Sequence, residues 1–188
     1  MVEVYGPSQG DSTLSEVINA AVTPPFFPVQ MKEFRGEVSL HDLGDADFEV
    51  AGLSVKSRWV PHTGPTLGFR IESGAGSIAY LPDHQAPLDR TSIAESVLEL
   101  CRDADVVIHD AQYTDDEFAV KADWGHSTVA YSVHVAAAAG ARELVLFHHD
   151  PSHDDDQLIE MEAAAASLPG AQQLSRIVAA REGMTVEL

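Results

Sequence analysis

Cysteine is nearly absent. Cys101 is the single one among 188 residues, which excludes an internal disulfide framework and fits a reducing, cytoplasmic setting. Positive charge is scarce as well: 11 Lys+Arg face 30 Asp+Glu, a net charge of −19 with nine histidines counted as neutral. The basic residues form no cluster of the kind that tracks a phosphate backbone, so long nucleic acid is not an expected partner. No apolar run approaches the roughly 18 to 20 residues that cross a bilayer. The opening MVEVYGPSQG has neither a basic start nor an apolar core, so neither a membrane span nor a signal peptide is expected. What remains, 45% hydrophobic and 22% charged, is ordinary globular composition, and the length points to one domain over residues 1–188.

The apolar pattern divides the chain into two halves. Val2 to Tyr5 reads as a strand ending at Gly6-Pro7. Asp11-Ser12 offers a helix cap, and Leu14, Val17, Ile18 and Ala21 recur at helical spacing until Thr23-Pro24-Pro25. From Phe34 to Pro61 short alternating stretches broken by Gly44 and Gly52 predict strands joined by hairpins. Thr66 to Glu72 and Ser77 to Leu81 predict two more, turning at Ser73-Gly74-Ala75-Gly76. The second half alternates helix and buried strand: helix Ser92 to Arg102, strand Ala104 to His109, helix Ser127 to Ala139, strand Arg142 to Phe147, helix Asp154 to Leu168. Ile177 to Ala180 and Met184 to Glu187, around Glu182-Gly183, suggest a closing hairpin. The fold class is α/β.

Four groups of polar residues fall where a strand has just finished, the place where α/β folds build sites. They are His62 after Val60-Pro61; Asp83 after Ala79-Tyr80-Leu81-Pro82; His109-Asp110 with Gly125-His126-Ser127-Thr128 downstream; and His148-His149 after Leu144 to Phe147. Each has a plainer reading. His62 alone is a loop histidine, Asp83 a turn former, His109 a packed core histidine, and Asp154 to Asp156 a helix cap. Asp110 is placed to orient His126 as carboxylates orient catalytic imidazoles. Imidazole and carboxylate at several strand ends together suit a binuclear hydrolase, in which two metals hold a hydroxide between them.

Taken in order, His62 with Gly68-Phe69-Arg70-Ile71-Glu72, Tyr80-Leu81-Pro82-Asp83, Ile108-His109-Asp110-Ala111, Gly125-His126-Ser127-Thr128 and Leu144 to His148 resemble the metallo-β-lactamase superfamily. The phosphodiesterase and ribonuclease Z-like branch is the nearest likeness. The resemblance implies an αββα sandwich, incomplete at its N-terminus. It also implies two divalent ions, zinc or manganese: His62 a ligand of the first, Asp83 the bridging carboxylate, His148 a ligand of the second. His126 takes the place of the histidine near the leaving group, kept protonated by Asp110, where ribonuclease Z itself has a glutamate. The superfamily's His-x-His-x-Asp-His string occurs nowhere in this chain; His41-Asp42 is the nearest look-alike and has no flanking histidines.

The expectation is therefore a metal-dependent hydrolase of a small, nucleotide-type phosphodiester, either lacking its N-terminal portion or surviving as a natural half-fold. Activity and metal binding by the chain alone are in question. Relatives with this fold often dimerise, which leaves a homodimer open. An uncovered sheet face predicts marginal stability or self-association. Two further readings are a non-catalytic binding or scaffold remnant, and a thioester, lactone or lactam hydrolase of the same superfamily.

Overall fold

The computed structural model describes all 188 residues. In chain order the elements are β1 (Val2–Gly6), α1 (Leu14–Ala21), β2 (Val38–Asp42), β3 (Ala46–Val50), β4 (Leu53–Trp59), β5 (Leu67–Glu72), β6 (Ser77–Leu81), α2 (Glu95–Cys101), β7 (Val106–Asp110), α3 (Asp115–Lys121), α4 (Val129–Ala138), β8 (Glu143–Phe147), α5 (Asp155–Ala165) and β9 (Arg176–Ala179). A seven-stranded sheet runs β3-β4-β5-β6-β7-β8-β9, and β1 pairs with β2 in a separate two-stranded sheet. Strands β3 to β6 are antiparallel neighbours, with short turns between β3 and β4 and between β5 and β6 and a longer loop, residues 60–66, between β4 and β5. From β6 to β9 the pairing is parallel, and parallel neighbours need crossovers, which α2, α3–α4 and α5 provide.

Local chemistry sets the helix starts. Thr13 with Glu16 and Thr114 with Glu117 form reciprocal capping boxes at α1 and α3, while Thr128 and Asp154 cap α4 and α5. Two expectations differ from the structure. The last segment is the lone strand β9, with no strand over Met184 to Glu187, because β9 finds its partner in β8 and the tail instead lays Met184 and Val186 on the sheet. The helix α3 was not foreseen; DDEFAVK is too short and too acidic for apolar periodicity to show, and its cap and the buried Phe118 fix it.

Side chains alternate between two unlike faces. Ala79, Leu81, Val107, Leu144 and Leu146 point into the main core, against Val97 and Leu100 of α2 and Val133 of α4. Gly68 of β5 lies so close to α2 that an added Cβ would sit 2.8 Å from a Leu100 methyl. Val106, Val145 and Val178 point the other way, into a small cluster with Ile78, Ile108, Met184 and Val186 that are only partly buried. No helix is long and apolar enough to cross a membrane.

Strands β4, β6, β7 and β8 all run in the same direction, so the segments that follow them emerge along one edge. Register aligns Leu81 with His109 and Leu146, and Asp110 with Phe147. Asp83, Asp110, His148 and, after β4, His62 are thereby carried to the same rim.

A sheet face covered this incompletely is expected to leave the chain marginally stable or self-associating, with the −19 charge opposing contact most strongly at low ionic strength. Thermal unfolding at several protein concentrations, with sedimentation at low and high salt, checks this. Concentration-dependent unfolding or association that rises with salt is expected, and a sharp, concentration-independent transition of a monomer contradicts it.

Candidate metal centre

Asp110 ends β7 with its side chain fully buried. A buried carboxylate is tolerated only when hydrogen bonds replace its water, and four N–H groups do so. Oδ2 accepts from the His84 main chain at 3.1 Å and from His126 Nδ1 at 2.7 Å; Oδ1 accepts from the main chains of Gln112 at 3.1 Å and Ser127 at 3.2 Å. The loops after β6 and before α4 are thus closed onto the end of β7. Neighbouring main-chain bonds lock them together: Gln85 N–H donates to Pro61 O, Ala86 N–H to His126 O, and Tyr113 N–H to Ser127 O.

With Nδ1 committed to Asp110, His126 keeps Nε2 free. The Asp110 carboxylate raises this imidazole above its ordinary pKa, chiefly through that hydrogen bond. His148 follows β8 with φ 60°, a left-handed conformation that costs a non-glycine residue energy and persists where the surroundings impose it. Its Nε2 lies 3.2 Å from Asp83 Oδ1, and its ring centroid is 4.8 Å from that of His126. One ligand atom each from Asp83, His126 and His148 falls within 4.8 Å of the others. Ligands of a tetrahedral zinc at bonds of about 2.1 Å stand about 3.4 Å apart, so an oxygen and imidazole nitrogens at this spacing fit a divalent ion after small rotations.

His62 reaches the same rim but sits beside this trio, its ring centroid 5.5 Å from that of His126. Its Nδ1–H donates to Gly125 O at 2.7 Å, leaving Nε2 as the lone pair. Gly125 has φ +100°, and a Cβ there would lie 2.5 Å from the His62 ring. The structure also separates the two histidines after β8: His149 Nε2–H donates to Ala180 O, away from His148. Asp154 caps α5 through the Gln157 N–H, as its plainer reading had it.

Two sets of contacts behind the rim were not anticipated from the sequence. His109, expected as a packed core histidine, is fully buried and pairs with the equally buried His84. His109 Nδ1–H donates to Asp110 O, so its Nε2 accepts from His84 Nδ1–H at 2.9 Å, and His84 Nε2 is left buried without a partner. Burial pushes both imidazoles down, keeping them neutral. The second set ties α3 to the loop after His148, through Lys121–Asp150 at 2.8 Å and His153–Glu117 at 2.7 Å. The only hint in the sequence was the number of charges on both segments.

The β-lactamase superfamily domain family matches residues 1–149. The chain belongs to that superfamily. Its relatives and structural neighbours include ribonuclease Z, tRNase Z and a PhnP-family diphosphatase. It is similar to ribonuclease Z of Myxococcus xanthus, at 25% identity over the whole of this chain and 71% of that enzyme. It is also similar to ribonuclease Z of Geobacillus kaustophilus, at 36% identity over 44% of this chain; that match spans 27% of the relative's length. Among solved structures, the metallo-β-lactamase fold protein YhfI of Bacillus subtilis superposes with a TM-score of 0.68 at 16% identity, over 97% of this chain and 63% of that one. Human tRNase Z, short form, gives 0.64 at 18%, over 98% and 67%. A diphosphatase of the PhnP family gives 0.61 at 18%, over 99% and 71%. At such identities these neighbours show the metallo-β-lactamase fold, an α/β sheet flanked by helices.

The Gly125–His62 contact is testable. Gly125→Ala adds a Cβ where there is no room, at a φ that alanine resists. It is expected to lower stability by about 1–3 kcal/mol in urea unfolding and to displace the His62 ring in a crystal structure of the variant. Unchanged stability with an unmoved ring contradicts the assignment.

Proposed function

We propose that this chain carries the leaving-group side, and part of the metal side, of a metal-dependent phosphodiesterase acting on a small nucleotide-type phosphodiester. The observation that carries the reading is the convergence of Asp83, His126 and His148 on one rim, with His126 held by the buried Asp110. The superfamily is one of metal-dependent hydrolases, and the relatives and neighbours named above include ribonuclease Z, tRNase Z and a diphosphatase.

Asp83 and His148, with His62 from the adjoining loop, are the residues that hold zinc or manganese in this reading. Such an ion, when bound, draws charge from a phosphoryl oxygen and makes water a nucleophile at neutral pH. His126 donates a proton from Nε2 to the departing oxygen, while Asp110 keeps the ring oriented and stabilises its charged form. The −19 charge and the lack of a basic patch favour a small substrate over the RNA of the ribonuclease Z relatives. A cytoplasmic setting belongs to the same proposal. It suits Cys101, a thiol fully buried and pushed up to about 12 by burial, and so inert.

The full-length enzyme incubated with manganese or zinc and bis(p-nitrophenyl) phosphate is expected to release nitrophenol, a turnover that a chelator abolishes. His126→Ala is expected to lower the rate by roughly 10²- to 10⁴-fold. No turnover with either metal contradicts the reading. In that case substoichiometric metal after purification, with indifference to chelator, would favour the binding-remnant alternative.

A further inference from the structure

Trp124 stands two residues before His126 and is 60% exposed, yet it is firmly held. Its N–H donates to Lys121 O at 3.0 Å, and the carbonyl of the next residue, Gly125, accepts from His62 Nδ1 at 2.7 Å. The ring is backed by a charge. The Lys121 ammonium lies 5.8 Å from the Trp124 ring centroid and 4.8 Å from that of Tyr113, within cation–π reach of both. Asp150 holds that ammonium at 2.8 Å. Tyr113, fully buried, in turn meets the His126 ring edge-on at a centroid distance of 5.9 Å. Trp124 is thus the outer member of a packed series, Tyr113–Lys121–Trp124, whose inner end touches the imidazole assigned to the leaving group. A scattered exposed aromatic needs no explanation. One whose main chain is clamped on both sides, and whose ring rests on a cation beside a site residue, does.

Positive charge does not supply affinity for a nucleotide at this place. The chain has 11 Lys+Arg against 30 Asp+Glu, and Lys121, the cation of the series, is already paired with Asp150. A flat, uncharged ring grips a nucleobase without a basic residue, because every base offers a π-face. We propose that Trp124 is the stacking platform for an aromatic base on the leaving-group side of the substrate. It is then a specificity-determining residue, selecting phosphodiesters whose departing group is a nucleoside over those whose departing group is a plain alcohol. Lys121 and Asp150 act as positioning residues that keep the ring in place. The choice of a nucleotide as ligand rests on the phosphodiesterase reading, whereas the held indole and its support do not.

The test is a calorimetric titration of the chain, with zinc and with chelator, against adenosine 5′-monophosphate and against ribose 5-phosphate, which keeps the phosphate and lacks the base. Wild type, Trp124→Ala, Trp124→Phe and Trp59→Phe are compared, with circular dichroism as the check on folding. Trp124→Leu, which keeps bulk without a π-face, replaces the alanine variant if that one unfolds. On wild type the indole N–H signal of Trp124, told from that of Trp59 by the Trp59→Phe variant, is followed by nuclear magnetic resonance. The monophosphate is expected to bind at least about fivefold more tightly than ribose 5-phosphate and to shift the Trp124 indole signal. Trp124→Ala is expected to abolish that preference, Trp124→Phe to keep most of it, and Trp59→Phe to leave it unchanged. Equal binding of the two ligands, no binding of the monophosphate in either condition, or an undiminished preference in Trp124→Ala each overturns the proposal. Base-dependent binding without turnover of the nitrophenyl phosphate would sink the phosphodiesterase reading alone, and turnover without a base preference would sink the stacking proposal alone.

Discussion

The solvation of one buried carboxylate governs this rim. Asp110 lies beneath the surface at the end of β7, where leaving it without donors would cost several kcal/mol. The chain meets that cost with N–H groups from the loop after β6, from the residues just beyond β7 and from the segment entering α4. The Asp110 carbonyl is occupied too, by His109 Nδ1–H and the Ser132 hydroxyl. Three segments, two of which carry Asp83 and His126, are thus positioned by a single electrostatic requirement. The orientation of His126 and the path of the chain past Asp83 both follow from it.

Sheet direction supplies the rest. Because β4, β6, β7 and β8 run the same way, four loops distant in sequence open on one edge, and the small loop residues there complete the approach. Gly125 lets the His62 ring lie against the main chain, and Ser127 spans Asp110 and the His84 carbonyl. The electrostatics separate by depth. Neutral His84 and His109 lie in the core, whereas His126 at the rim is favoured in its charged form by Asp110. The same fold accordingly keeps the two core imidazoles neutral and favours the charged form of the one at the rim.

Much of this was legible in the sequence because its signals are local. Apolar runs such as Leu144 to Phe147 ending in histidine mark a strand and its exit, and Gly125-His126-Ser127-Thr128 combines a turn, a site residue and a helix cap in four positions. The Asp110–His126 pair was anticipated and is present at 2.7 Å. What was hidden depends on contacts between distant segments. The parallel pairing of β1 with β2 leaves no hairpin signature, and His84 gives no sign in sequence that it will pair with His109, 25 residues away. The closing hairpin failed because β9 already had a neighbour in β8, and turn-like Glu182-Gly183 says nothing about which strand is available. Residue types pointed to His62, Asp83 and His148; only the folded chain shows that His148 stands 3.2 Å from Asp83 while His62 is tied to Gly125 O.

The central claim is that Asp110 holds the rim together, and native-state hydrogen exchange on Asp110→Asn tests it most directly. The substitution keeps the size of the side chain but turns one acceptor into a donor, so the two oxygens can no longer serve all four N–H groups. The account predicts that the His84 amide loses at least about tenfold in protection and that the His126 ring changes its hydrogen-bonded tautomer, while the β7–β8 ladder amides stay protected. An unchanged His84 amide and an unchanged His126 ring would contradict it.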